Sequence, residues 1–306
     1  MIQYICYRLL LLVPSIMGVI TIVAIFLHLV PGDPLDQILG PYSTEQQKIE
    51  VREQLGLDQS IFNQVFSYFT SLLQADLGSS LLSGEPVISL IQERLAATLS
   101  LALSSLFVSV WAGLTVGFLC ALKEQSWLDL SLTSIVTLAL AIPNFWLGPM
   151  LIYFFSIQLK LFPVSGNDSL LHFVLPSLTL GLSLSAVLAR MTRTSLLENV
   201  SQDYAKVAKA KGLSGTAVLL KHVLKNSSLS ILTITGLQLG VLLGGSIITE
   251  QIFDWPGLGT LLIDAIHSRD YPLIQGCVLF IALGYLFVNL AVDLLYTYLD
   301  PRIVYE

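Results

Sequence analysis

Apolar residues in this chain gather into six long blocks, separated by segments in which polar and charged residues dominate. The blocks fall at Leu9–Val30, Leu95–Leu122, Leu128–Leu159, Val174–Met191, Leu229–Thr249 and Leu273–Leu299. Each is close to the roughly 20 residues that a helix needs to cross the hydrocarbon of a bilayer. The pattern predicts an all-α integral membrane protein with six transmembrane helices. The first block is longer than the core of a secretory signal, and Pro31-Gly32-Asp33-Pro34 follows it in place of a small-x-small cleavage site. It reads as a retained helix that the Pro-Gly pair ends.

The intervening segments divide the chain. Residues 1–30 form the first span, 31–94 an extracytoplasmic loop region, and 95–300 a core of five spans that contains a cytoplasmic loop at 190–228. Lysine and arginine give the orientation. With the N-terminus inside, the inner segments hold Arg8, Lys123, Arg190, Arg193, Lys206, Lys209, Lys211, Lys221, Lys225 and Arg302. The short outer segments hold only Lys160 and Arg269. Lys48, Arg52 and Arg94 lie in the long loop, which translocates largely regardless of charge. Both termini are therefore expected on the cytoplasmic side. The outer loops are acidic, with Asp33, Asp36, Glu250, Asp254, Asp264 and Asp270 among their carboxylates.

Composition agrees with this picture. Of 306 residues, 54% are hydrophobic and 12% charged, about half the charged share of a soluble domain. Cys6, Cys120 and Cys277 are far apart and lie in or beside apolar blocks, so neither a disulfide framework nor a metal knuckle is indicated.

Helices in lipid gain little from apolarity alone, and small residues that permit close approach matter more. Gly236, Gly240 and Gly244 recur every four residues in the fifth block, and Gly113 and Gly117 do so in the second. Such faces serve helix packing, the lining of a substrate path, or both. Pro143-Asn144 interrupts the third block and frees a backbone carbonyl that a neighbour or water must satisfy. The break reads either as a kink that packs or as one that lines a cavity. Intramembrane charge is scarce: Asp293 lies near the inner end of the last block and His28 near the outer end of the first. No chain of carboxylates or histidines crosses the bilayer, which argues against an ion-coupled relay.

Two loops carry most of the remaining information. In the inner one, Asp203–Lys211 is rich in alanine and lysine, with the acid at its start and lysines toward its end as a helix dipole prefers. Gly212 is placed as its C-terminal cap. Ser214 is placed to cap a second helix, on which Val218, Leu219 and His222 share one side. The pair suits either a helix resting on anionic headgroups or a dock for a cytoplasmic partner, and the bent arrangement favours the dock. The outer loop Glu250–Gly259 sets aromatics beside a Pro-Gly turn, as at a membrane interface. Within the long first loop, Ile61–Leu73 is amphipathic, with Ile61, Val65, Phe66, Phe69 and Leu73 on one helix face.

These residues also carry a resemblance. Ala-Lys-Gly-Leu at 210–213 and Lys-His-Val-Leu-Lys-Asn at 221–226 resemble the "EAA" loop of bacterial ABC importer permeases. Trp255-Pro256-Gly257-Leu258-Gly259, Arg269-Asp270-Tyr271-Pro272, Asp300-Pro301-Arg302, Pro31-Gly32-Asp33-Pro34, Gly56-Leu57-Asp58 and Phe162-Pro163 are similar to the dipeptide, oligopeptide, nickel and glutathione branch. The matches run from the first block to the last residues. The motif's glutamate and first alanine are replaced by Lys206 and Val207, and Ser230 stands where relatives often carry a proline.

The resemblance implies a multi-pass subunit of a binding-protein-dependent, type I importer in the bacterial cytoplasmic (inner) membrane. It implies a second homologous permease subunit, two cytoplasmic ABC ATPase subunits that hold ATP and Mg, and an extracytoplasmic substrate-binding protein, all embedded among membrane lipids. This chain itself would hold no cofactor, metal or nucleic acid. The coupling helix would span Gln202–Gly212, with Asp203, Tyr204, Ala208, Lys211, Gly212 and His222 serving the coupling to the ATPase. Gly236, Gly240, Gly244, Pro143 and Asn144 would pack helices or line the path. Trp255, Pro256, Gly257 and Asp270 would receive the binding protein.

Competing readings fit less well. An intramembrane enzyme finds no H-E-x-x-H or G-x-S-x-G and no clustered histidines, so no catalytic residue is expected. A self-energised pump lacks G-x-x-x-x-G-K-[ST]. A secondary transporter without ATPase partners remains the alternative on hydropathy, although a basic docking loop has no purpose in it. Dipeptide, oligopeptide, glutathione and nickel chelate all stay open as cargo, as does the pairing of identical or different permease chains.

Overall fold

The computed structural model describes residues 2–29, 35, 39, 44–54 and 58–299. In chain order the helices are α1 (Ile2–Leu29), α2 (Glu45–Gln54), α3 (Ile61–Leu73), α4 (Val87–Leu122), α5 (Trp127–Ala141) and α6 (Asn144–Leu151). There follow α7 (Leu170–Val200), α8 (Asp203–Ala210), α9 (Gly215–Val218), α10 (Leu224–Gly245), α11 (Ile247–Ile252), α12 (Leu258–His267) and α13 (Tyr271–Leu299). Two π-helical turns, Ile152–Gln158 and Leu219–Val223, extend α6 and join α9 to α10. Extended pairing among the described residues is a single bridge, Ser79 to Pro86.

Among the described residues, four helices are long and apolar enough to cross a membrane: Val87–Leu122, Leu170–Val200, Gly215–Gly244 and Tyr271–Leu295. A further apolar helix pair, Trp127–Ala141 and Asn144–Gln158, meets at 102° and adds a fifth span where the two are taken as one. The cause is local. Ile142 takes an extended backbone, φ −88° and ψ 115°, as a residue before proline must, and Pro143 starts a new helix. The expected first span lies on α1, where the apolar stretch among the described residues is the shorter Val13–Phe26. Helix α4 begins at Val87, two turns before the apolar block at Leu95. Its early residues Val87 and Ile91 are fully buried one turn apart, so the helix forms on an amphipathic face before the apolar run starts.

Contacts divide the chain into two units, residues 1–98 with 256–286, and residues 99–255 with 287–306. In the first, α3 packs on α1. Helix α3 has the expected bounds and is capped by Ser60, whose Oγ accepts the Asn63 N–H at 3.3 Å. Only part of the expected face is turned inward. Val65 is buried, while Phe66 and Leu73 are exposed. The Tyr68 hydroxyl is buried without a partner, and burial pushes its phenol well above its ordinary range. At the start of α13, Asp270 caps the helix by accepting the Leu273 N–H at 3.3 Å. It also accepts from Ser80 Oγ at 2.5 Å and from the Leu81 N–H at 3.1 Å, tying the turn before α4 to the last span. Gly276 lies against the side chain of Val87, where a Cβ has no room.

In the second unit α7 is the hub, with α5, α6 and α10 packed on it. Glycines set how close the backbones come. A Cβ on Gly181 would sit 2.7 Å from Val108 Cβ and 2.8 Å from the Ser105 carbonyl oxygen, and one on Gly117 would sit 2.6 Å from the Ala189 carbonyl oxygen. Polar side chains then tie the helices together. Gln238 of α10 accepts from Ser109 Oγ of α4 at 2.7 Å and donates to the Leu184 carbonyl of α7 at 2.8 Å. Ser104 and Ser177 hydroxyls meet at 2.7 Å, and Ser227 Oγ donates to the Ser195 carbonyl at 3.1 Å. Arg193 of α7 makes a two-pronged ion pair with Asp129 of α5, Nε to Oδ1 at 2.8 Å and Nη2 to Oδ2 at 2.7 Å. In a medium with no water to compete, these ties and the close backbone contacts do the work that hydrophobicity does in a soluble core.

The glycine contacts lead to a direct test. Gly181→Ala forces Val108 or the α4 backbone to move and should destabilise the chain by about 1–3 kcal/mol. A methyl at Gly18 meets nothing within 4 Å, so Gly18→Ala should leave the thermal midpoint in detergent unchanged. Equal midpoints for the two variants would refute the close-packing account.

Candidate functional site

The basic loop at 190–228 grows directly out of the hub. Helix α7 ends at Val200, and Gln202 takes an extended backbone, φ −72° and ψ 156°, that turns the chain into α8. Gly212, at φ +86°, ends α8 in the left-handed region that glycine alone enters without strain. Its N–H donates to the Lys209 carbonyl at 2.9 Å, and the Leu213 N–H reaches back to Ala208 at 3.4 Å. Those two bonds make a Schellman cap, and Leu213 packs against the apolar cluster that contains Ala208. Ser214 caps α9, its Oγ accepting the Ala217 N–H at 3.3 Å.

The cluster explains the alanines. Ala205 and Ala208 are buried with Leu196 of α7, Ala121 of α4, and Val218, Leu219 and Val223. Small side chains let α8 lie close across the ends of two spans. Its other side is free: Val207 is 54% exposed, and Asp203, Tyr204, Lys206, Lys209 and Lys211 are exposed as well. The Tyr204 hydroxyl donates to Asn199 Oδ1 at 3.1 Å, which fixes the ring. Asp203 and Lys206 pair at 2.9 Å with both side chains exposed, and such a pair adds little stability.

His222 departs from expectation. An uninterrupted α-helix sets it on the same side as Val218 and Leu219, yet it is exposed, and Val223 is buried in its place. The π turn at Leu219–Val223 accommodates one extra residue and advances the buried face by that residue.

Among the expected packing and pathway residues, Gly236 lies against Val292 of α13, with no room for a Cβ. Gly240 is buried and Gly244 half-buried. Pro143 is the N-cap residue of α6, and Asn144 accepts a hydrogen bond from Ser183 of α7. The break is thus held against the hub.

The residues expected to receive a binding protein are largely interior. Trp255 is 0% exposed, its ring set edge-to-face on Phe173 with centroids 4.6 Å apart. The Trp255 backbone N–H donates to the Glu250 carbonyl at 2.8 Å, and the neighbouring Phe253 carbonyl accepts the Gly166 N–H at 3.1 Å. Gly257 is buried, Pro256 half-buried, and Asp270 only 1% exposed. Trp255, Gly257 and Asp270 are thus buried within their own segments, and Pro256 is the one of the four that is partly open. Glu250, 0% exposed, also leaves the acidic surface and accepts from Ser246 Oγ at 3.1 Å. The carboxylates of this stretch that do face outward are Asp254 and Asp264. Sequence reasoning missed Gln238 and the Asp129–Arg193 pair. The available signal was an acid in the first turn of one span and a base at the inner end of the next.

Comparison with known proteins agrees with this architecture. Residues 113–305 match the family described as binding-protein-dependent transport system inner membrane component, and residues 1–102 match its N-terminal companion. The chain is 42% identical over 306 residues to the glutathione transport system permease protein GsiC of Escherichia coli (strain K12), covering all of both chains. It is 44% identical over 307 residues to the protein of that name from Salmonella typhimurium, again at full coverage. Among solved structures, a chain from the inward-facing conformations of the MetNI methionine ABC transporter superposes with a TM-score of 0.61. The match is at 20% identity, over 71% of this chain and 99% of that one. At that identity the likeness speaks for the fold.

The position of Trp255 separates an internal role from a docking one. Trp255→Ala should cost about 3–5 kcal/mol through the cavity it leaves, seen as a lowered thermal midpoint, and Trp255→Phe should cost less. An unchanged midpoint for Trp255→Ala would return the residue to a surface role.

Proposed function

Since the chain belongs to the binding-protein-dependent transport system inner membrane components, we propose that it is the half of a type I ABC importer that carries glutathione or a short peptide inward. That it is an inner-membrane permease component of an ABC importer follows from the family and its full-length relatives. The assembly, topology and cargo are our reading.

In this reading six helices span the membrane with both termini in the cytoplasm, the first at residues 1–30 and five more within 95–300, and residues 31–94 form the extracytoplasmic region. A second permease chain pairs with this one. Two ATPase subunits bind ATP and Mg below, so hydrolysis occurs outside this chain. A binding protein delivers cargo from above, onto exposed parts of the outer loops such as Asp254 and Asp264. The cargo assignment leans on relatives named for glutathione transport that match over the whole chain.

One observation carries the proposal. Helix α8 is fixed at its back by Ala205 and Ala208 to the ends of α4 and α7, while its front leaves Tyr204, Val207 and Lys211 exposed. A partner that grips the front moves the spans, because the back has no slack. Closure of the nucleotide-bound ATPases thereby rocks the permease halves between outward and inward access.

The test is reconstitution with the ATPase, partner permease and binding protein in proteoliposomes. ATP-driven uptake of glutathione or a dipeptide is expected, and uptake that ignores ATP would replace the importer with a secondary transporter. Ala208→Asp puts a charge into the packed back of α8. Gly212→Pro removes the left-handed cap, since proline cannot reach positive φ. Both variants should insert normally and hydrolyse ATP without moving cargo. Wild-type uptake in either would sink the coupling role of α8.

A further inference from the structure

Helix α7 runs unbroken from Leu170 to Val200, and its last turns supply Leu196 and Val200 to the cluster beneath α8. The same helix holds the bent third span at two places. Arg193 grips Asp129 in the first turn of α5, and Ser183 bonds to Asn144 at the first residue of α6. Ten residues separate the two grips, or about 15 Å of helix. The Asp129 carboxylate is fully used. Both oxygens take a guanidinium N–H, and one also accepts the Gln125 N–H at 3.0 Å and the other Thr133 Oγ1 at 3.3 Å. Its side chain is 6% exposed and that of Arg193 30%.

We propose that the Asp129–Arg193 ion pair is a rigid link that makes the bent third span follow the coupling loop, and that it stays closed throughout the transport cycle. The proposal rests on the importer reading above. A two-pronged guanidinium–carboxylate pair fixes orientation as well as distance. Opening it would strand a buried carboxylate without its counter-charge, a costly state. The pair sits one turn from Leu196, so a displacement of α8 reaches α5 through a single side-chain contact. With the Asn144–Ser183 tie at the bend, the inner half of the broken span has no freedom to lag behind α7. Asp129 and Arg193 are positioning residues that act through α5 and α7.

A permanent link and a gate that must open predict opposite outcomes when the contact is fastened. In the reconstituted complete transporter, with Cys6, Cys120 and Cys277 replaced by alanine, Asp129→Cys and Arg193→Cys are combined. A short reducible bis-thiosulfonate reagent then bridges the two thiols. Uptake should be low before bridging, recover on bridging, and fall again on reduction, all in one sample. Asp129→Ala alone should lower uptake about ten-fold while ATP hydrolysis stays within about two-fold of the unmodified chain. The exchange Asp129→Arg with Arg193→Asp should restore much of the uptake. A bridged transporter that hydrolyses ATP but moves no cargo would overturn the proposal in favour of a gate, and full uptake by Asp129→Ala would overturn it outright. Absence of ATP-driven uptake by the unmodified chain would instead overturn the importer reading, and the link with it.

Discussion

A bilayer offers no reward for bringing two apolar helices together, and this fold depends on what replaces that reward. Around α7 the replacement is twofold. Gly113, Gly117 and Gly181 bring the α4 and α7 backbones to distances that no side chain would permit. Gln238, Ser104, Ser227, Asn144 and Arg193 then supply hydrogen bonds directed at particular partners on neighbouring helices. The first gives dispersion contact, and the second gives register. Neither survives rotation of a helix about its axis, so together they define one arrangement of the second unit.

That arrangement extends into water at the loop that carries α8. A helix as short as α8 has little stability of its own. It persists because its alanine face is part of the α4 and α7 packing, and because Gly212 closes its end. Its outward face is then free of structural duty, which is where Lys206 and Val207 stand. The residues that differ from the family pattern fall on the face a partner would read, while Ala208 and Gly212, which agree with it, are the ones that hold the helix in place.

The sequence made the helices legible and left many of their faces hidden. Blocks of apolar residues located the long helices, and Pro143, Gly212 and Ser214 marked a break, a stop and a start because their backbone chemistry is local. Distant choices were less visible. Trp255 next to Pro-Gly reads as an interfacial anchor, but only the fold brings Phe173 to its ring. Asp270 and Glu250 count as surface charge until their donors, Ser80 and Ser246, are seen. The start of α4 at Val87 was obscured by Gln92, Glu93 and Arg94, since hydropathy registers polarity and not the spacing of Val87 and Ile91.

The π turn at Leu219–Val223 sets the angular phase between two parts of the chain. One residue of an α-helix corresponds to about 100° of rotation. Without the extra residue, a helix that began with Val218 against the α8 cluster would enter the membrane turned by that angle, with Gly236 swung away from Val292. The loop and the span that follows it are thus tuned by a single surplus residue. A one-residue deletion anywhere between Ser214 and Gly236 would dephase them, although every side chain essential to either part were still present.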